Sequence, residues 1–245
     1  DIKAELNNKI TVTIQPNKNW KSFKAGQYIE LGIKINGVHY KRPFTISSSV
    51  AQFETHKTIS VTIQRIDTGK VTTHLFEHLK TGDVVSLSQA QGDFIHGAEN
   101  IPLLYIAGGT GITPFRSMLY ECLQTKRHVT LLYYAKAGQH LFADEFTALH
   151  EADNIHIYLI ETDIHGRIST DHLDKYCSDL LFRNVYLCGP AAMTANNKNI
   201  LVHQKVQEKN IHTEHFTLPA IPATTHLKDN KGSVSVQNKQ LPTTG

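Results

Sequence analysis

The sequence predicts two units in tandem, an antiparallel β-barrel followed by a doubly wound α/β domain, and three observations carry that reading. Between residues 10 and 91 the apolar positions fall in short alternating or β-branched runs at 10–14, 28–31, 40–47, 59–63 and 84–87. A period of two marks strands with one buried face. After Pro102 the pattern changes, and continuous apolar runs at 103–107, 129–134, 155–160 and 185–188 take turns with helical patterns at 114–124, 141–151, 170–177 and 191–207. Strands apolar on both faces that alternate with helices belong to a parallel sheet. The third observation is a glycine-rich segment at 108–114, set between a strand and a helix of the second half.

In the first half, turns at Lys24-Ala25-Gly26, Asn36-Gly37 and Thr81-Gly82-Asp83 separate the strands, as glycine and asparagine do when a chain reverses. One segment departs from the pattern. Residues 72–80 place Leu75, Phe76 and Leu79 at helical spacing, which predicts a short helix with Thr72 or Thr73 as its N-cap. The expected units are residues 1–98 and 99–216. Residues 217–231, with Pro219 and Pro222 among polar residues, read as a linker. Residues 233–236 read as one isolated strand within a final segment 232–245, and a lone strand has no sheet to complete.

The 245 residues carry 25 Lys+Arg against 22 Asp+Glu, a formal charge of +3 without clustered basic runs. That argues against a nucleic-acid partner. The apolar runs are far shorter than the ~20 residues a bilayer-spanning helix needs. The chain opens on Asp1 without a basic-then-apolar leader, so it reads as a piece lacking a targeting segment. Cys122, Cys177 and Cys188 are odd in number and lie in periodic segments, which predicts a reducing, cytoplasmic setting and not a disulfide framework.

The strongest local signal is Gly108-Gly109-Thr110-Gly111-Ile112-Thr113-Pro114. Glycines let backbone amides approach a pyrophosphate, and the helix that follows offers unpaired N–H donors and a partial positive charge. Pro114 falls where a helix tolerates proline best. No Gly-Lys-Ser/Thr follows, so the segment is not a P-loop, and proline stands where the dinucleotide fingerprint has its third glycine. Taken alone, Arg42 reads as a solvated arginine, Thr45 as a strand hydroxyl and Cys188 as a small buried hydrophobe. Cys188 nevertheless ends a parallel strand, at the sheet edge where α/β domains place their ligands.

Read together, the motifs of residues 1–216 resemble the ferredoxin-NADP reductase type of flavoprotein. Arg42-Pro43-Phe44-Thr45 is similar to the family's flavin motif, in which the arginine meets the pyrophosphate, the aromatic ring packs on the isoalloxazine and the hydroxyl reaches N5. Phe44 replaces the usual tyrosine, which keeps stacking and loses a phenolic hydrogen bond. Gly69-Lys70-Val71-Thr72, with Leu75, resembles the family's second flavin-phosphate element. The 108–114 segment resembles its nicotinamide-dinucleotide loop, and Cys188-Gly189-Pro190, with Met193, the motif beside the nicotinamide ring. The resemblance implies an antiparallel β-barrel flavin domain followed by a doubly wound α/β nicotinamide-dinucleotide domain. It also implies an NAD(P)H-dependent flavoprotein reductase that passes hydride from NADPH to FAD, with FMN the less favoured flavin. Single electrons would then pass to an iron-sulfur centre or electron-transfer protein that serves an oxygenase or desaturase.

Further roles follow from the resemblance. Thr45 and Cys188 would flank the reacting rings, and Glu214 is a candidate for proton relay. Lys136, where NADP-using relatives carry arginine, and Arg167 would meet the 2′-phosphate, which favours NADPH over NADH. Residues 232–245 resemble the opening of a plant-type [2Fe-2S] ferredoxin domain fused after the reductase. A cluster needs four cysteine thiolates, and no cysteine follows Cys188, so the cluster would belong only to a longer form of the chain.

Two other readings compete. His74-Leu75-Phe76-Glu77-His78 fits an inverted zinc-peptidase motif, although with 15 histidines in the chain such matches arise by accident. The chain could also be a non-catalytic partner-docking module, since a fold alone does not establish activity. The final Leu-Pro-Thr-Thr-Gly resembles a sorting signal but lacks a following apolar stretch, and reads as chance.

Overall fold

The computed structural model describes residues 1–6 and 8–216 and the backbone of Ser233–Val234. Strands β1 (Ile2–Leu6), β2 (Lys9–Ile14) and β5 (Ile59–Gln64) form one antiparallel sheet, and β3 (Tyr28–Ile35), β4 (Val38–Thr45) and β6 (Val85–Leu87) belong to a second. The Ile46–Val61 bridge joins them at one corner. Asn36 and Gly37, both at positive φ, close the β3–β4 hairpin, as a tight hairpin of matching twist requires. Ile29, Leu31, Ile46, Ile59, Val61, Ile63 and Leu75 fill the space between the sheets with no solvent exposure. This is the barrel the alternation predicts.

Two elements in this half carry no strong sequence signal. β1 is short and largely uncovered. Helix α1 (Val50–His56) buries Phe53 alone and is capped by the Ser49 hydroxyl, which accepts from Gln52 N–H. The expected 72–80 helix is α2 (Lys70–His78), which starts two residues earlier than expected and is capped by Gly69, not by Thr72 or Thr73. The reason is local: the Thr72 hydroxyl accepts from Ile66 N–H at 3.3 Å and donates to the Gly69 carbonyl at 3.2 Å, while the Thr73 hydroxyl donates to the Ile66 carbonyl. Both threonines fasten the preceding loop from inside the first turn.

The second half is a five-stranded parallel sheet of order β11-β10-β7-β8-β9. Its strands are β7 (Leu103–Gly108), β8 (Val129–Ala135), β9 (Ile155–Glu161), β10 (Asn184–Gly189) and β11 (Ile211–His215). Helices α3 (Ile112–Thr125) and α4 (Ala143–His150) cover one face, and α5 (Thr170–Tyr176) and α6 (Ala191–His203) the other. The sheet is doubly wound, as the sequence predicts. α3 begins two residues before Pro114, after a single 3-10 turn over Gly109–Gly111. Pro114 still falls in the first turn, where its missing N–H costs nothing. The strand order reverses between β7 and β10, and such switch points open a crevice at the carboxyl ends of the strands.

The chain crosses between the halves through residues 91–101, and this segment is fixed to both. Tyr28 and Gln91 exchange two backbone hydrogen bonds of 2.9 Å. On the other side Phe94 packs edge-on against Phe115 and Tyr186, Tyr186 donates to the Ile95 carbonyl, and Arg127 donates to the Ile101 and Gly97 carbonyls. His96 hydrogen-bonds the Tyr105 hydroxyl and pairs with Glu121 at 3.4 Å.

The expected linker 217–231 lies outside the described residues. Of the expected terminal segment, Ser233–Val234 is not the isolated strand expected: it forms β12, which extends the second sheet antiparallel to β6 with Ser233 opposite Ser86 and Val234 opposite Val85. Among the described residues no helix is long and apolar enough to cross a membrane.

Candidate dinucleotide and flavin site

The glycine-rich segment lies at the switch point, pressed onto the end of β10. A Cβ on Gly111 would stand 2.2 Å from the Cys188 carbonyl oxygen and 2.7 Å from Gly189 Cα, and one on Gly108 would stand 2.2 Å from Met193 Sδ. Gly111 is demanded by packing, because backbone cannot yield to a methyl group, whereas at Gly108 the flexible Met193 side chain is what would have to move. Gly109 differs. It adopts φ +56° and has nothing within 4 Å of its Cβ direction, so it is glycine for its conformation and leaves open space at the loop's crest. The Tyr133 hydroxyl fixes that crest, donating to the Gly109 carbonyl at 3.0 Å and accepting from Leu141 N–H at 3.0 Å. Thr113 donates to the Thr110 carbonyl. The result is a rigid, open, backbone-lined cradle ahead of a 14-residue helix, which suits a pyrophosphate.

Cys188 is fully buried beneath this loop, and burial together with the neighbouring Glu214 carboxylate pushes its thiol well above the ordinary range. Its carbonyl meets Gly111, and Gly189 and the exposed Pro190 follow at the edge. Glu214 sits beside Cys188 in the β10–β11 register. Its Oε2 is buried without a hydrogen-bond partner among the described residues, and burial pushes the carboxyl up to about 7. One residue past β11, Phe216 exposes 43% of its surface at the same edge. Sequence reasoning does not single it out, though an aromatic two positions beyond a buried acid on the last strand is the available signal.

The flavin candidates line the end of the other half. Arg42 and Phe44 lie two apart on β4, both half-buried, with Phe44 packed against the barrel core. Arg42 makes one hydrogen bond among the described residues, to the adjoining Lys41 carbonyl at 2.7 Å, and the rest of its fork is available to an anion. Pro43 is exposed on the opposite face, and Thr45 is 6% exposed at the strand end. Across the barrel, Gly69 begins α2 without a side-chain cap, ahead of the buried Val71. Thr72 already uses its hydroxyl within the loop, so what α2 offers a phosphate is its backbone.

Lys136 and Arg167 are both exposed, just beyond β8 and in the loop after β9. Asp163 ties the two loops by accepting from Ala137 N–H at 3.0 Å. The zinc reading does not assemble: Glu77 pairs with Arg65 at 3.4 Å, the His74 and His78 rings contact each other, and no group of three metal-ligating side chains occurs among the described residues.

The oxidoreductase FAD-binding domain family matches residues 8–96, and the oxidoreductase NAD-binding domain family matches residues 105–199. The chain is 31% identical over 215 residues to flavohemoprotein A of Dictyostelium discoideum, covering 80% of this chain and 54% of that protein. It is 27% identical over 259 residues to a subunit of the 1,2-phenylacetyl-CoA epoxidase of Escherichia coli strain K12, covering 97% of this chain and 70% of that one. The chain spans about half the length of the first curated relatives it matches. In fold it is similar to a ferredoxin NADP+ reductase from Neisseria gonorrhoeae with bound FAD and NADP, at a TM-score of 0.74 and 21% identity, over 87% of this chain and 95% of that one. With both domain families present in the order in which the two halves are built, the chain belongs to the FAD- and NAD-binding flavoprotein oxidoreductases of the ferredoxin-NADP reductase type.

Proposed function

We propose that the chain is an NAD(P)H-dependent flavoprotein reductase that takes hydride from NADPH into FAD and sends single electrons to an iron-sulfur centre or electron-transfer protein serving an oxygenase or desaturase. The observation that carries this reading is the cradle at 108–114, closed by Gly108 and Gly111 and open only at Gly109, at the switch point of the sheet. When bound, FAD supplies the chemistry that turns a two-electron donor into one-electron steps. The chain's own part is to bind, orient and manage protons. Arg42 offsets phosphate charge, Phe44 offers a ring face, Thr45 offers a hydroxyl at the strand end, and Gly69, Val71 and Thr72 set the α2 terminus. Gly108 to Pro114 take the dinucleotide pyrophosphate, with Gly189 and Pro190 beside them. Cys188 supports the loop through its carbonyl. Glu214, with a carboxyl that titrates near neutrality, holds or releases a proton at the edge beside Cys188. Lys136 and Arg167 meet the 2′-phosphate.

Likeness to the epoxidase component supports an acceptor of the oxygenase kind, and the three free, buried cysteines support a reducing, cytoplasmic setting. The division we propose is 1–98 for flavin and 99–216 for dinucleotide, with 217–231 as a linker into 232–245. The test is direct. Purified protein should carry FAD or gain its absorbance on addition, and anaerobic bleaching should be faster with NADPH than with NADH at equal low concentration. Changing Lys136 and Arg167 together to Ala should erase that difference. A protein that binds no flavin overturns the reading, and equal efficiency with both dinucleotides overturns the NADPH assignment alone.

A further inference from the structure

Arg116, on α3 two residues after Pro114, is engaged on every side. Its Nε and Nη2 donate to the two carboxylate oxygens of Glu145 on α4, at 2.8 and 2.9 Å. Its guanidinium carbon lies 4.5 Å from the centre of the Phe142 ring. The remaining nitrogen, Nη1, crosses to the flavin half and donates to the Ser47 carbonyl at 3.3 Å. Both ends of this bridge are stiff. Arg116 sits one helical turn past the cradle, on a helix whose start is wedged against the Cys188 carbonyl. Ser47 lies two residues past Thr45, buried, with its own N–H bound to the Ser60 carbonyl at 2.8 Å and its hydroxyl bound to the same carbonyl. The guanidinium fork cannot shift without losing its paired bonds to Glu145, because bidentate geometry fixes direction as well as distance. Phe142 adopts φ +60°, a conformation a bulky residue keeps only when its surroundings hold it, and the arginine covers its ring.

We propose that Arg116 is a positioning residue that sets the separation between the end of β4 and the 108–114 loop, and with it the approach of dinucleotide to flavin. The inference rests on the reductase reading above. Small displacements matter at such a junction, because a misplacement of about 1 Å between reacting groups costs on the order of 100-fold in rate. Arg116 spends three of its five N–H donors on Glu145 and Ser47, and neither partner is among the residues assigned to a cofactor, so its removal should leave both affinities alone while spoiling their juxtaposition.

The experiment compares the parent chain, Arg116→Met, Arg116→Lys and Glu145→Gln by three measurements: FAD and NADP+ affinities by calorimetry, the change that NADP+ induces in the absorption spectrum of the oxidised flavin, and the rate of flavin reduction at saturating NADPH. For Arg116→Met the expected result is affinities within about twofold of the parent, a much reduced NADP+-induced spectral change, and reduction slowed roughly 10-fold or more. Arg116→Lys keeps the charge without the fork and should recover little. Glu145→Gln keeps one of the two accepting oxygens and loses the charge pair, and should fall between. Parent-like reduction and spectral change in Arg116→Met overturn the inference, as does a slowed rate accompanied by a roughly 10-fold loss of either affinity. If Arg116→Met does not fold, Glu145→Gln decides: a slowed rate with intact affinities supports the inference, and parent-like behaviour overturns it. A parent chain that binds FAD but is not reduced by either dinucleotide overturns the reductase reading and this inference together, whatever the variants do.

Discussion

Along β7 and β8 every residue is buried, and the ligand loop above them is shaped by backbone pressed against backbone. Along β4 only Thr45 is buried, Arg42 and Phe44 are half-covered, and Arg42 turns back on its neighbour's carbonyl. The dinucleotide half therefore holds its cradle ready-made, at a cost already met during folding. The flavin half presents side chains whose final partners arrive with the cofactor. Damage to the first kind of site should appear as lost stability, and damage to the second as lost affinity.

The sharpest way to break this contrast is Gly111→Ala. Its Cβ would fall 2.2 Å from a main-chain oxygen, and overpacking against backbone costs about 3 kcal/mol or more. A fall in Tm of roughly 10 °C in calorimetry is expected. Gly109→Ala, in open space, should cost only the strain of positive φ, about 1 kcal/mol. Equal costs for the two would show that the loop is not packed as described.

Arg42→Ala should act the other way. A charge-assisted contact is worth about 1.5–3 kcal/mol, so FAD affinity should drop roughly 10- to 150-fold. The thermal midpoint of the flavin-free protein should stay within a degree or two of the parent's, because among the described residues the Arg42 side chain hydrogen-bonds only its neighbour's carbonyl. A destabilised apoprotein would place Arg42 among the structural residues.

Glu214 gives a pH signature. Burial raises its carboxyl from 4.5 to about 7, so in that window the folded state holds a proton that the unfolded state has released. Stability contributed by this group is then present below about pH 4.5, falls as pH rises to about 7, and is level above. Each pK unit is ~1.4 kcal/mol, and a loss on the order of 2 kcal/mol is expected after allowance for partial exposure. Glu214→Gln should flatten the profile and be the more stable protein at pH 8. A parent whose stability rises between pH 5 and 7 with an unchanged profile in the variant would refute the assignment.

The smallest effect belongs to Tyr133→Phe, which removes the bridge between Gly109 and Leu141. Losing these bonds costs about 1 kcal/mol. It should appear as a several-fold rise in KM for the dinucleotide with kcat unchanged.

Much of this molecule is legible in its sequence because the signals are local. The Gly108 to Pro114 run sits between a strand and a helix that periodicity finds independently, and the five expected barrel strands all form. What escapes lacks a local signal. β11 is an edge strand with only Ile211 buried, and α1 covers a single core residue, so neither carries enough apolar residues to show a period. The α2 cap misleads because two adjacent threonines both look like caps, whereas their hydroxyls serve the loop behind them. Arg116, Tyr133 and Ser47 cannot be found from sequence at all. Their partners lie between 8 and 69 positions away in the chain, and only the docking of the halves brings Ser47 to Arg116.

The crossing segment does more than connect. Phe94 lies in the same apolar cluster as Ala25, and its carbonyl sits where a Cβ on Gly26 would stand only 1.9 Å away. The chain between the halves is thus a plug, wedged into the barrel on one side and into the rings of Phe115 and Tyr186 on the other. A molecule joined in this way does not open like a book. Pulling the halves apart would uncover apolar surface on both, so neither half has an independent melting point to display. Heat should take the described body apart in a single calorimetric step, and a cut placed near residue 100 should yield two insoluble pieces where a flexible tether would have yielded two domains.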